Sequence, residues 1–119
     1  MLEKKVRSFR HALRGVNIAW REEMNFKIEV VCGALAIAAA SILPLTRIEF
    51  VVIIFLIGFV LATEALNTAL EEFCDMVKSD HDPHIAKIKD LAAAAVLLSA
   101  ITALTIGSTI FIPYLLPLA

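Results

Sequence analysis

Residues 50–70 read FVVIIFLIGFVLATEALNTAL, 21 residues with a single charge, Glu64. A helix of about 20 apolar residues crosses a hydrocarbon core roughly 30 Å thick. In lipid every backbone polar group must be satisfied within the segment, so a run of this kind has to be helical. Two more such runs flank it. Residues 30–46 form a 17-residue stretch without charge, and residues 91–119 form a 29-residue stretch without charge. None shows the strict alternation that a membrane β-strand requires. The chain therefore reads as an all-α membrane protein of one domain. It has an N-terminal amphipathic surface helix over residues 1–27 and transmembrane helices at about 28–46, 50–72 and 90–112, the first borrowing from residues 26–29. Pro44 is expected to end the first span, and Pro113 and Pro117 to close the third. The first run is not read as a cleaved signal peptide, because a long charged segment precedes it and no small-residue cleavage site closes it.

Composition agrees. Hydrophobic side chains make up 60% of the 119 residues and charged ones 19%, with a mean hydropathy of +0.82. An ordinary soluble domain is roughly 45–50% apolar and about 25% charged. Such apolar content excludes disorder, and a net charge of −1 gives no basic excess for nucleic acid. Two cysteines, Cys32 and Cys74, cannot make a disulfide framework and read as packing residues rather than reactive thiols. Lys and Arg are concentrated ahead of the first span (Lys4, Lys5, Arg7, Arg10, Arg14, Arg21, Lys27) and again between the second and third (Lys78, Lys87, Lys89), with only Arg47 between the first two. This alternation places the N-terminus and the second loop in the cytoplasm.

Leu2, Val6, Phe9, Leu13, Val16 and Trp20 are spaced 4, 3, 4, 3 and 4 residues apart, one apolar stripe of a helix whose remainder is basic. It is read as lying on the membrane surface with Trp20 at headgroup level; docking on a partner is the other reading. Gly33, Ala36, the alanines at 38–40 and 92–95, Ala100, Ala103 and Gly107 are small residues that let helices approach closely.

Glu64 is out of place in such a run. A charge well inside a span costs roughly 2.5–3.5 kcal/mol even on the lenient insertion scale. At about 1.5 Å per residue it lies ~21 Å from Phe50, some two turns below the cytoplasmic headgroups. Glu64, Asn67, Glu71 and Asp75 recur at i, i+3, i+7 and i+11, within a sector of about 80° on one helix face. A polar seam between helices would suit Asn67 alone. Three acids on one stripe repel each other unless a cation or proton is supplied. Glu22, Glu23 and Glu29 add acids where the surface helix meets the first span. If the helices pack, Glu23 and Glu71 could share a hard cation such as Mg²⁺, which takes one or two carboxylates and accepts the rest from phosphates. Spacing does not choose between Glu22 and Glu23.

The loop DMVKSDHDPHIAKIKD over residues 75–90 places Asp80, His81, Asp82 and His84 together. Two histidines in one loop are weak grounds for zinc, and a turn around Pro83, facing solvent or a nucleotide, is preferred. Lys87 and Lys89 could meet phosphate as point charges or simply anchor the third span. There is no GxxxxGK[ST] loop, no protein-kinase signature and no partnered nucleophile.

Glu64-Ala-Leu-Asn67-Thr-Ala-Leu-Glu71-Glu-Phe-Cys-Asp75 closely resembles the E-x-x-N-[ST]-[AS]-[ILV]-E-x-x-[VIC]-D signature of the small prokaryotic diacylglycerol kinases. Lys87-Ile-Lys89-Asp90 with the alanines that follow, and Glu23-Met-Asn25-Phe26-Lys27-Ile28-Glu29, resemble two further motifs of that family, in the same order. The resemblance implies a lipid kinase of the bacterial inner membrane, multi-pass, with a cytoplasmic-side active site that uses ATP and Mg²⁺ and is shared between the chains of a homotrimer. It implies Glu64 as catalytic base, Glu23 and Glu71 as metal ligands, and Lys89 and Asp90, with Asp80, His81 and Asp82, at the nucleotide. Asn67 and Asp75 would support the polar face; Trp20, Asn25 and Glu29 would line the lipid site. Cys74 stands where valine is usual, and the alanines at 92–95 where glycine often occurs. The basic phosphate contact stays open among Lys4, Arg7 and Arg10. Relatives divide between diacylglycerol and undecaprenol as acceptor. The tail Gly107-Ser-Thr-Ile-Phe111-Ile-Pro113 leans toward undecaprenol. The other classes of reading are a proton or ion transporter in which Glu64 titrates, and a non-enzymatic membrane assembly subunit.

Overall fold

The computed structural model describes residues 1–77 and 82–116, and among them every element is helical. Four helices follow in order: α1 (Leu2–Glu22), α2 (Met24–Ile42), α3 (Arg47–Val77) and α4 (Pro83–Leu115). The last three are long and apolar enough to cross a membrane. At 31 and 33 residues, α3 and α4 run to ~46 and ~50 Å, well beyond a core of about 30 Å. Lys78, Asp80, His81 and Pro117 lie outside the described residues.

The ends of the helices follow local chemistry more closely than the charge-free runs do. A single extended residue, Glu23 (φ −112°, ψ 111°), separates α1 from α2, and its N–H closes α1 by donating to the Ala19 carbonyl. The surface helix thus stops five residues earlier than the expected 27, and the first span starts at Met24. The span ends at Ile42 because Leu43 precedes a proline and is held extended (φ −78°, ψ 152°). Thr46-Arg47-Ile48-Glu49 then starts α3 with a reciprocal cap. The Glu49 N–H donates to Thr46 Oγ1 at 3.2 Å and the Thr46 N–H donates to Glu49 Oε1 at 2.9 Å. At α4, Asp82 Oδ1 accepts the His84 N–H at 2.8 Å with Pro83 in the first turn, an arrangement that begins a helix. The helix that carries the third span therefore starts at Pro83, ahead of the expected span. Pro113 does not close it. It lies inside α4, two residues from the end, where only one backbone hydrogen bond is forfeited. Tyr114, beyond it, donates from its hydroxyl to Glu49 Oε1 and ties the end of α4 to the start of α3.

Little of the apolar surface is covered within the chain. The buried apolar side chains are Ala19, Phe26, Ala40, Ile53, Leu56, Cys74, Ala92 and Ile110. Leucines, isoleucines and phenylalanines remain exposed around all three spans, as expected of helices surrounded by hydrocarbon. The stripe of α1 from Leu2 to Val16 is likewise more than half exposed. The spans meet through small residues. Gly33 of α2 lies so close to α3 that an added Cβ would stand 2.8 Å from Cγ2 of Ile57. Isoleucine is stiff at χ1, so the methyl cannot simply swing aside. Gly33→Ala should therefore lower stability by about 1–3 kcal/mol, and adding Ile57→Ala should offset part of that loss. Unfolding of the two variants in detergent micelles checks both.

Candidate active site

The α3 helix carries Glu64, Asn67, Glu71 and Asp75 along one face, as 3.6-residue periodicity requires. Glu64 is 2% exposed. Around it come three further carboxylates from different places in the fold: Glu23 at the α1–α2 break, Glu29 one turn into α2 and Glu71 two turns along α3. All three interact electrostatically with Glu64. The break at Glu23 matters here. It ends α1 and starts α2, and Glu23 at the break and Glu29 beyond it both act on Glu64 of α3.

The hydrogen bonding is incomplete. Asn67 Nδ2 donates to Glu71 Oε1 at 3.0 Å, but Glu64 Oε2, Glu29 Oε1 and Asn67 Oδ1 are buried without a partner. Buried polar atoms are normally satisfied, and three acceptors orphaned within one cluster mark a place made for a donor or cation. Near the end of the stripe, Lys89 Nζ of α4 donates to Asp75 Oδ1 at 2.6 Å. That pair is partly solvated and contributes roughly 0.2–1 kcal/mol. Its effect is positional, since it holds a cation at the end of the acidic face.

The other candidates are distributed as follows. Trp20 lies in the last turn of α1 with Lys27 Nζ 6.0 Å from its ring centroid; Asn25 is exposed in the first turn of α2 and Asp90 exposed on α4. Asp82 is occupied as the α4 cap. Asp80 and His81 lie outside the described residues. Lys4 is 19 residues before Glu23 on one continuous helix, ~28 Å away along its axis, so a single chain does not bring it to the acids. Among the described residues no three His, Cys, Asp or Glu side chains form a metal cage. An apolar cavity of about 340 Å³ opens between α2, α3 and α4 with Glu29 on its rim and Gly33, Ile57, Ala103 and Phe111 among its walls. A groove of about 540 Å³ lies where α1 crosses α2 and α3, lined by Ala12, Ala19, Phe26, Ala65 and Ala69.

Sequence reasoning missed the Thr46–Glu49 cap, although its T-x-x-E spacing signals one. It also missed Thr63 and Ser99, whose hydroxyls meet across α3 and α4 at 2.9 Å. Nothing in the spacing links those two.

Fold and site together define a small helical membrane protein in which carboxylates of two further segments bear on a buried glutamate of the second span. Residues 10–111 match the prokaryotic diacylglycerol kinase family, and the chain belongs to that family. It is 42% identical over 112 residues to a diacylglycerol kinase of Synechocystis, covering 93% of this chain and 64% of that protein. It is 35% identical over 114 residues to the undecaprenol kinase of Bacillus subtilis, covering 96% and 93%. With a diacylglycerol kinase of Escherichia coli the identity is 32% over 93 residues, covering 78% and 76%. The chain thus spans just under two thirds of the Synechocystis relative and most of the other two.

A buried carboxyl facing three others with an orphaned oxygen destabilises the fold that holds it. Glu64→Gln, equal in size and uncharged, should raise the unfolding free energy at neutral pH by about 1 kcal/mol, measured by reversible unfolding in mixed micelles.

Proposed function

We propose that the chain is a lipid kinase that transfers the γ-phosphoryl group of ATP directly to the hydroxyl of a membrane lipid. The observation that carries this reading is the orphaned Glu64 carboxylate oxygen, buried in the apolar layer at the head of an acidic face that runs out along α3. A lipid alcohol approaches from the membrane and a nucleotide from water, so a stripe crossing that boundary is what joining them requires.

The residues divide the work. Glu64 Oε2 accepts the hydrogen bond of the acceptor hydroxyl, aims its oxygen and takes its proton as the bond to phosphorus forms. The bond from the γ-phosphorus to the bridging oxygen breaks, ADP leaves with that oxygen, and Glu64 returns the proton to water. Phosphoryl transfer depends on positioning and charge stabilisation, so no covalent nucleophile is required. Glu23 and Glu71 would hold Mg²⁺. Their oxygens suit a hard cation, which takes one or two carboxylates and fills the rest of its shell with water and phosphate oxygens. Held there, the ion would supply charge stabilisation to the phosphate oxygens of ATP. Asn67 orients Glu71 through its 3.0 Å hydrogen bond. Lys89, with Asp90 and the loop residues Asp80, His81 and Asp82, would meet the nucleotide. Trp20, Asn25 and Glu29 would guide the lipid headgroup.

The N-terminus and the α3–α4 loop face the cytoplasm in this reading, on the Lys and Arg distribution, and the membrane is the bacterial inner membrane. A homotrimer with shared sites accounts for two observations: the uncovered stripe of α1, and the distance of Lys4 from the acids of its own chain. Undecaprenol is favoured over diacylglycerol as acceptor on the tail around Phe111. Either lipid presents one hydroxyl to the same carboxylate.

Purified protein in mixed micelles with labelled ATP, Mg²⁺ and each lipid should yield a phosphorylated lipid. Glu64→Gln should lower turnover by about 10²–10⁴-fold. Glu71→Gln should raise the Mg²⁺ and ATP concentrations needed. Full activity in both variants would remove the assigned roles; proton or ion flux in proteoliposomes without lipid phosphorylation would favour a transporter.

A further inference from the structure

Every buried residue of α4 lies on one line: Ala92, Ser99 and Ile110, spaced 7 and 11 residues apart. On α3, Leu56, Thr63 and Cys74 are also spaced 7 and 11 apart, within about 20° of one direction on the helix. Leu56 and Cys74 are buried. The helices run antiparallel, and the two lines meet where Thr63 faces Ser99. The other buried residues on these lines are Leu56, Cys74, Ala92 and Ile110, all apolar or weakly polar. Only the centre is hydroxylic. Ser99 is 0% exposed, and it and Glu64 are the two buried polar residues among those described.

Proton counting defines the contact. Thr63 Oγ1 reaches the Val60 carbonyl at 2.9 Å, Ser99 Oγ reaches the Val96 carbonyl at 2.7 Å, and the two hydroxyls are 2.9 Å apart. Two hydroxyl protons serve three contacts. When one hydroxyl donates across the seam, it releases its own carbonyl and the other keeps its own. Removing either hydroxyl leaves the survivor able to bond its own helix, so neither substitution strands a buried donor. The interhelical bond adds little to stability, as is usual in membranes.

It does define register. An alanine-rich apolar seam discriminates little between neighbouring registers, so even one weak polar pair at one level biases it toward a single register, as polar positions in coiled coils do. A slip of one turn would carry Glu64, the next residue after Thr63, ~5.4 Å past α4 and its Lys89. We propose that Thr63 and Ser99 are positioning residues for phosphoryl transfer, setting the depth and rotation of Glu64 against α4 so that the acceptor hydroxyl meets the phosphate. This rests on the lipid-kinase reading.

The test measures turnover per nucleotide-binding site, titrated separately so that loss of folded protein does not count. Thr63→Val and Ser99→Ala should each lower turnover per site by about 10-fold with the KM for MgATP unchanged. Thr63→Ser, which keeps the hydroxyl, should stay within about twofold of the parent protein. The double variant should be no slower than the slower single, because both remove the same bond. Unchanged turnover per site in Thr63→Val and Ser99→Ala would overturn the proposal, as would a Thr63→Ser loss equal to that of Thr63→Val, or losses that multiply in the double variant. If the parent protein itself phosphorylates neither lipid, it is the kinase reading that fails, and this proposal with it; an active parent with indifferent variants overturns the positioning role alone.

Discussion

A carboxylate buried within an apolar spanning helix has to be surrounded by something, and the rest of this structure can be understood as what surrounds Glu64. Water would satisfy both oxygens, but at 2% exposure it has little access. Cations of the chain would neutralise the charge, yet the groups that reach Glu64 are Glu23, Glu29 and Glu71, which add to it. The nearest structural cation along the stripe, Lys89, is engaged with Asp75 three turns further on. A fold built for stability alone would have put leucine at position 64. Retaining three further acids that bear on a buried Glu64 makes sense where their repulsion is relieved by a transferable proton or by ligands that carry charge of their own.

That requirement explains the odd geometry of the first half of the chain. A straight helix from the N-terminus through the first span would carry Glu23 and Glu29 along one axis. The single extended residue at Glu23 lets α1 leave in a different direction while α2 goes on to approach α3. The approach is close because Gly33 presents no side chain to Ile57. On the other side, α4 is registered by the Thr63–Ser99 hydroxyls and the Asp75–Lys89 pair, and at its far end by Tyr114 on Glu49. The α3 helix is thus gripped along its length, and the acidic face lies between the grips.

Much of this was legible in the sequence, for a physical reason. Hydrocarbon admits only long uncharged helices, so the three spans could be seen in the positions of the charges, and the acidic stripe could be seen because helical periodicity maps 64, 67, 71 and 75 to one face. Helix ends were less legible. They depend on residues whose effect is local: Leu43 before Pro44, Thr46 with Glu49, Asp82 with Pro83. Each is readable as a cap or a stop but is easily outweighed by a hydropathy run. Pro113 was read as a terminator and is not one, because a proline two residues from a helix end has little left to interrupt. A meeting of Glu23 with the acids of α3 could be stated from the sequence only on condition that the two helices pack, and that of Glu29 with Glu64 not at all, since no spacing rule predicts which faces of two helices will meet. Thr63 and Ser99 left no trace at all; a lone threonine and serine in a span are ordinarily taken up by their own helix carbonyls.

The same reasoning bears on why the hydroxyl pair sits where it does. The ends of α3 and α4 are held by charged or ionisable groups, Asp75 with Lys89 and Glu49 with Tyr114, which water at the interfaces can screen and partly replace. In the interior no such groups are admissible except at the reactive site itself, and apolar contact between alanines and leucines is nearly degenerate with contact to lipid. Two small hydroxyls are the least costly way to make one register differ from its neighbours, because each retains a bond to its own helix whether or not the other is present. A site that must hold a carboxylate at a fixed depth, against the repulsion of its own companions, needs its reference point on the adjacent helix, and position 63 is as near to Glu64 as the chain allows.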